Sequence, residues 1–366
     1  MRPRYLYLLL PLVGIVATLI AAYQGRSTPL WPGSRYTTAD RDRAVRRGLF
    51  FIYTVASDPK TFGQWGSDLI WAFYNIQSTT ADRELSDLAW RMGHERAREW
   101  RRLYPKVPAD ANADEVAELA NGSYTAELLG VPDPAMREAL RKATTRFTAA
   151  DYLFFDPARE APPEDIPELC SKCGHQNDRG AQTCSRCGTK LKMRTRYGLL
   201  TDALIATFGG DGYGVSVGGP YKNALRWLPA LRPYPSRGSV PDRIYYDAVY
   251  CVTHVVYTYN SYNQKRLSPA CFPQEYAYLK DNLIQSIRDR DAETLGEYMD
   301  TLQAFGMTFS DPLLEQGADY LLSSQNPDGS WGDPREPDIY GRYHTTWTSL
   351  GGLQSFRWTE VLPCPQ

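Results

Sequence analysis

From Thr38 onward the chain repeats one pattern: apolar residues three or four apart, polar residues between them, then a short run of Pro, Gly, Asp or Ser. This is the 3.6-residue period of an amphipathic helix, and the separators are helix stops and turn formers. Val45, Leu49, Ile52 and Ala56 mark the first such segment, with Thr38 as its cap and Arg43, Arg46 and Arg47 on its other faces. The same period predicts helices over Phe62 to Ile76, Asp82 to Tyr104, Ala113 to Leu128, Pro134 to Thr148 and Tyr197 to Phe208. It continues over Tyr245 to Tyr262, Pro273 to Arg288, Ala292 to Phe305, Asp311 to Ser324 and Tyr343 to Phe356. Strand-like alternation is absent outside one Cys-rich segment, so the fold class is all-α.

Two stretches break the pattern. Residues Tyr5 to Tyr23 carry no charge and follow Arg2 and Arg4, which is long enough for a helix to cross a hydrocarbon core of about 30 Å. We read residues 1–23 as a single-pass transmembrane signal anchor and the Pro, Gly and Ser-rich residues 24–37 as a linker. Basic residues flank both ends of the span, from Arg26 to Arg47 on the far side, so the positive-inside rule leaves the side of the body open.

The second break runs over residues 155–193, which turn Pro-rich and then Cys-rich. Cys170, Cys173, Cys184 and Cys187 read C-x2-C, ten residues, C-x2-C, and Gly174 and Gly188 follow the two pairs. Two thiolates at that spacing approach one tetrahedral ion from a tight turn, and glycine lets the backbone amides point at the sulfurs. The expectation is a zinc ribbon inserted between helical parts 38–154 and 194–366. Four-thiolate sites are closed, so this zinc is structural, and His175 beside the first pair finds no vacancy. The remaining cysteines, Cys251, Cys271 and Cys364, are scattered. They read as small buried apolar residues or a tail residue rather than a disulfide framework.

Composition adds two points. With 41 basic and 42 acidic side chains there is no basic field for nucleic acid. The chain has 25 Tyr and 9 Trp, large amphipathic rings that belong in cores, cavities or grooves. Such a chain can line a pocket.

Near the C-terminus, Gln325-Asn-Pro-Asp-Gly329-Ser-Trp331-Gly332 sits between an apolar helix and the helix near Tyr343. This resembles the QW repeat of the squalene-hopene cyclase and prenyltransferase superfamily, whose fold is an α/α toroid of helical hairpins. The resemblance implies that Gln325 and Trp331 tie successive helices together. It covers a short part of the chain and speaks to fold rather than activity. Neither the DxDD motif of the alkene-protonating cyclases nor a DDxxD motif for magnesium diphosphate occurs here, so ordinary terpene cyclisation is not expected.

One helix carries a constellation. On Tyr245 to Tyr262, Asp247, Tyr250, Cys251, His254, Thr258 and Ser261 fall on one face, opposite Val249, Val252, Val255 and Val256. That polar face has almost no charge, so it should line a shielded cavity rather than meet water. His254 suits proton transfer or metal ligation near neutral pH. A toroid would bring His344, at the start of the helix after the QW-like turn, to the same cavity. His254, His344, Asp247 and Tyr250 are therefore the catalytic candidates, with a possible second metal at His254 and His344 and with Asp247 or Asp202 as carboxylate partner. A satisfied buried histidine is the plainer reading of His254. The Gly-rich run Gly209 to Gly214 lacks the Lys and Ser/Thr of a phosphate loop and reads as a cavity-rim loop.

Two functions fit. One is a membrane-anchored toroid enzyme acting on a hydrophobic or amphipathic small molecule. The other is a non-catalytic assembly protein whose ribbon recruits a protein partner.

Overall fold

The computed structural model describes residues 33–365, and they form an all-helical body with the Cys-rich segment inserted in it. The expected anchor, residues 1–23, lies outside the described residues. No helix among those described is long and apolar enough to cross a membrane.

The helices are α1 Thr38–Ser57, α2 Pro59–Thr79, α3 Arg83–Leu103, α4 Ala113–Leu128, α5 Pro134–Thr144 and α6 Ala149–Leu153. After the insertion come α7 Arg196–Tyr213, α8 Tyr221–Leu225, α9 Leu228–Leu231, α10 Asp242–Tyr259, α11 Pro273–Asp289, α12 Ala292–Ala304, α13 Pro312–Ser324 and α14 Ile339–Leu353. Their ends follow local chemistry. Thr37 and Asp40 form a reciprocal capping box at α1, as Asn112 and Glu115 do at α4, satisfying donors that have no partner within the helix. Proline opens α2, α5, α11 and α13, where its missing N–H costs nothing. Thr37, not Thr38, is thus the cap of the first helix.

Three departures from the sequence expectation have local causes. The helix expected to reach Thr148 stops at Thr144, because Thr148 caps the short α6. The short helices α8 and α9 carry too few turns for a period to show. The Gly-rich run is not a loop: α7 continues through it to Tyr213, and Gly214 caps it at φ 67. Glycine serves close packing there, since a Cβ at Gly212 would lie 2.5 Å from the Tyr124 hydroxyl.

Pairwise packing follows chain order. Helix α2 lies on α4, α4 on α7, α7 on α10, α10 on α12 and α12 on α14, and α14 touches α2. The others pack against this series: α1 on α2 and α14, α3 on α2 and α4, α5 on α4, α11 on α12, and α13 on α14 and α1. Helices α12 and α14 approach backbone to backbone, and a Cβ at Gly296 would come within 2.3 Å of the Thr348 carbonyl oxygen. Glycine here lets the backbones touch, and the same approach sets Glu293 beside His344.

The turn between α13 and α14 is knitted to α1. Gln325 Nε2 donates to the Ala44 carbonyl at 2.9 Å and to the Gly329 carbonyl at 3.0 Å. Trp331 is fully buried, and its Nε1 donates to the Leu321 carbonyl at 2.7 Å. Gly329, at φ 92, lets the turn lie against Arg47.

Cys271 and Cys364 form a disulfide. This corrects the expectation that neither is bridged, and pattern alone could not show it, because the two are 93 residues apart. The bond fastens the C-terminal tail beside Arg266, whose N–H donates to the Glu360 carbonyl at 2.8 Å.

Candidate functional site

The Cys-rich segment brings four sulfurs to one point. All ligand atoms of Cys170, Cys173, Cys184 and Cys187 lie within 4.8 Å of one another. Cys170 and Cys187 are 3.5 Å apart and Cys173 and Cys184 are 3.7 Å apart. Zinc–sulfur bonds of about 2.3 Å give a tetrahedral edge of about 3.8 Å, so the donor set fits zinc. Gly174 and Gly188 take the left-handed conformation, at φ 64 and 71, but their amides donate to the Cys170 and Cys184 carbonyls, at 2.7 and 2.8 Å, rather than to the sulfurs. His175 is no ligand, since its Nε2 lies 3.0 Å from the Ser185 hydroxyl. The cysteines hold a structural zinc, and its chemistry is to order this small hairpin.

The segment is also fixed to the body at its base. The Glu168 amide donates to the Lys192 carbonyl and the Arg194 amide to the Ile166 carbonyl, both at 2.7 Å. Arg243 and Arg196 pair with Glu168 and Glu164.

The body's cavity lies where α2, α7, α10, α12 and α14 meet. An inner chamber of about 260 Å3 and a narrow one of about 40 Å3 beside it share His254, Tyr262, His344 and Trp347 in their linings. An outer chamber of about 320 Å3 adjoins, sharing Asn121, Asp202, Ile205 and Gly209 with the inner one.

Of the six polar residues expected to share a cavity face of helix α10, only Tyr250 and His254 line the chambers. Val249, Val252, Val255 and Val256 are fully buried in the core. His254, 9% exposed, and Tyr250 line the inner chamber. His254 Nδ1 lies 2.9 Å from the Tyr250 carbonyl oxygen. A carbonyl only accepts, so Nδ1 carries the hydrogen of the neutral ring and Nε2 is left as an acceptor. Burial, with the charge of His344 adding to it, pushes the His254 pKa down to about 3.

His344 is the opposite case. Its Nδ1 lies 2.9 Å from Glu293 Oε1, an oxygen that also accepts the Tyr250 hydroxyl. Burial would lower the His344 pKa, but the hydrogen bond and charge of Glu293 outweigh it and push it up to about 9. At neutral pH His344 is therefore an imidazolium and His254 a neutral imidazole. The Tyr250 ring stacks on both, with centroid distances of 5.6 Å to His254 and 6.2 Å to His344. The neutral ring thus offers an acceptor at Nε2 and the charged ring a donor.

Asp247 does not join them. Its Oδ2 accepts the Thr195 hydroxyl at 2.6 Å beside the start of α7, and it is not among the cavity-lining residues. The carboxylate partner of His344 is Glu293. Asp202 does line the inner chamber, but it pairs with Arg194 at 2.6 Å. Cys251 is fully buried in the core, where burial pushes its thiol up to about 12. Among the described residues only the four cysteines bring three or more ligand atoms within reach of one ion, so the donor set for a second metal at His254 and His344 is not assembled.

Sequence reasoning missed the acidic lining. Glu293, Glu297 and Asp300 recur at i, i+4 and i+7 along α12, one face of a helix that is buried almost throughout. Burial pushes Glu297 up to about 7, and its Oε2 accepts the Thr253 hydroxyl at 2.7 Å. Asp300 is raised by burial while accepting the Tyr257 hydroxyl at 2.6 Å. Asp68, also raised by burial, leaves its buried Oδ2 without a partner. Carboxylates at helical spacing, in a helix with no Lys or Arg to pair them, were the available signal.

Against known proteins, residues 169–191 match the family model of a zinc-ribbon domain. No curated protein and no solved structure matches the chain.

Proposed function

We propose that this protein is a membrane-anchored α/α-toroid enzyme that performs acid–base catalysis on an amphipathic substrate held between His254 and His344. The observation that carries the reading is the contrast in what the two histidines face across Tyr250 in one cavity, His254 Nδ1 a backbone carbonyl and His344 Nδ1 the Glu293 carboxylate, which favours a neutral ring at the first and a charged one at the second. In this reading His254 Nε2 takes a proton from the substrate or from water, and His344 gives one to the leaving or developing oxygen. Glu293 keeps His344 charged and Tyr250 holds that carboxylate in place.

The toroid reading is supported by the packing order, in which α2, α4, α7, α10, α12 and α14 touch in sequence and α14 returns to α2. Gln325 and Trp331, which join the α13–α14 turn to α1 and α13, agree with it. The anchor rests on the uncharged residues 5–23. The Cys271–Cys364 bond favours an oxidising compartment and the four zinc thiolates a reducing one, and together they assign the body to no side of the membrane. The ribbon reads as a structural insertion, because ion pairs fasten its base to α7 and α10.

The test is a substrate screen by mass spectrometry. Full-length protein in detergent is incubated with an extract of amphipathic metabolites, beside His254→Gln and His344→Gln variants. The reading expects a compound consumed by the wild type and spared by both variants. Consumption by neither, or equally by all three, contradicts it.

A further inference from the structure

The cavity also bears on what the substrate is. The inner chamber sets aromatic faces, Trp71, Phe208, Tyr262, Tyr340 and Trp347, among the carboxylate Asp68 and the amide Asn121. The narrow chamber beside it adds Asn75, Asn263, Glu297 and Asp300. The outer chamber repeats the mixture with Tyr152, Phe154, Asp114 and Glu118. Among the described residues two cations face these spaces, and each is paired with a carboxylate: His344 with Glu293, and Arg194, through one terminal nitrogen, with Asp202.

This lining selects by exclusion. A phosphate or carboxylate ligand would meet several acidic groups with no free cation to offset them. A prenyl or acyl chain would bury carboxylates and amides against hydrocarbon, leaving them without partners. A ring with C–H faces and O–H edges satisfies both halves of the wall: its faces lie on the aromatic rings, and its hydroxyls donate to the carboxylates and amides. Three wall atoms lack a protein partner: Asp68 Oδ2 on a residue of the inner chamber, and Tyr152 Oη and Arg194 Nε on residues of the outer one. Buried polar atoms of that kind call for a hydrogen-bonding ligand or water.

The chambers meet at Asp202, Asn121, Ile205 and Gly209. Each alone is near the lower limit of the roughly 300–1,000 Å3 of ligand pockets, and joined they fall inside it. We infer that the two chambers form one elongated site for a neutral oligosaccharide, with one sugar unit in each. This rests on the acid–base reading only in placing the inner unit beside His254 and His344.

The test is calorimetric titration of the full-length protein, held in a detergent without sugar headgroups. The ligands are cellobiose, maltose, laminaribiose and N,N′-diacetylchitobiose, each beside its monosaccharide, with farnesol as the prenyl probe. At least one disaccharide should bind saturably and at least tenfold more tightly than its monosaccharide. Tyr152→Phe, which removes one hydroxyl and keeps the ring, should weaken the disaccharide about three- to tenfold, as one lost hydrogen bond does, and leave the monosaccharide unchanged. Absence of saturable binding by all four disaccharides overturns the inference. So does tighter binding of farnesol, or equal disaccharide affinity in the Tyr152→Phe variant. Histidine protonation measured on the same sample separates the two claims: opposite charge states without sugar binding leave the acid–base reading standing and remove the saccharide.

Discussion

His344 Nδ1 lies 2.9 Å from Glu293 Oε1, and that oxygen also accepts the Tyr250 hydroxyl from the neighbouring helix. One carboxylate thus fixes the charge of His344 and ties α10, α12 and α14 together at the cavity. The contact depends on Gly296, one turn along α12, where only a hydrogen fits against the α14 backbone.

This arrangement makes stability depend on pH in a defined direction. His344 titrates near 6.5 when unfolded and at about 9 when folded, so its contribution is complete below 6.5 and lost as pH rises through 9. His254 works the other way: with a folded value of about 3, its neutral form favours folding above 6.5, and that contribution is lost as pH falls toward 3. Glu293→Gln should flatten the loss of stability between pH 6.5 and 9. Thermal melts across that range check this, and an unchanged slope in the variant contradicts the role given to Glu293.

Trp331→Ala should destabilise the protein by about 3–5 kcal/mol, the usual cost of truncating a buried large aromatic. The ring is fully buried, its edge lies where a Cβ at Gly48 would come within 2.9 Å, and its Nε1 bond to Leu321 would be lost. Denaturant unfolding measures the difference, and wild-type stability would show that this turn does not join the helices as described.

Cys173→Ser should release zinc and expose residues 160–192 to protease, because ligand binding and folding are coupled in such small modules. The body should remain folded, since its core cluster is separate from the small one formed by Cys170, Cys184 and Leu191. Metal analysis with limited proteolysis reads both effects. Stoichiometric zinc in a variant lacking all four thiols would falsify the assignment.

Cys364→Ser should cost about 2–4 kcal/mol under non-reducing conditions, the usual worth of a loop-closing disulfide. A reducing agent should remove the same stability from the wild type and nothing from the variant. Peptide mapping of unreduced protein that finds Cys271 and Cys364 as free thiols sinks the bond and the argument for an oxidising compartment.

The helices were legible because their period and stops are local: α4 starts and ends at the residues its pattern predicts, Ala113 and Leu128. The zinc ligands were legible because four thiolates at fixed spacing admit few other chemistries. His254 and Tyr250 could be placed on one face of α10 from periodicity alone. The carboxylate partner could not, because Asp247 shares that face while Glu293 belongs to another helix brought near by Gly296 and Gly352. Long-range pairing of this kind, like the Cys271–Cys364 bond, depends on how helices cross rather than on how each one repeats. The run Gly209 to Gly214 misled for a related reason: glycine spacing suggested a loop, whereas close packing against Tyr124 and Val215 required small residues inside a helix.

The opposite charge of the two histidines can be read by 15N NMR of the side chains at pH 7. His254 should show the nitrogen pattern of a neutral ring protonated at Nδ1, and His344 that of an imidazolium, with Asn substitution of each residue assigning the signals. The His344 pattern should persist until pH approaches 9, and Glu293→Gln should bring its titration down toward the ordinary histidine range. Two neutral rings at pH 7, or a charged His254, would contradict the account.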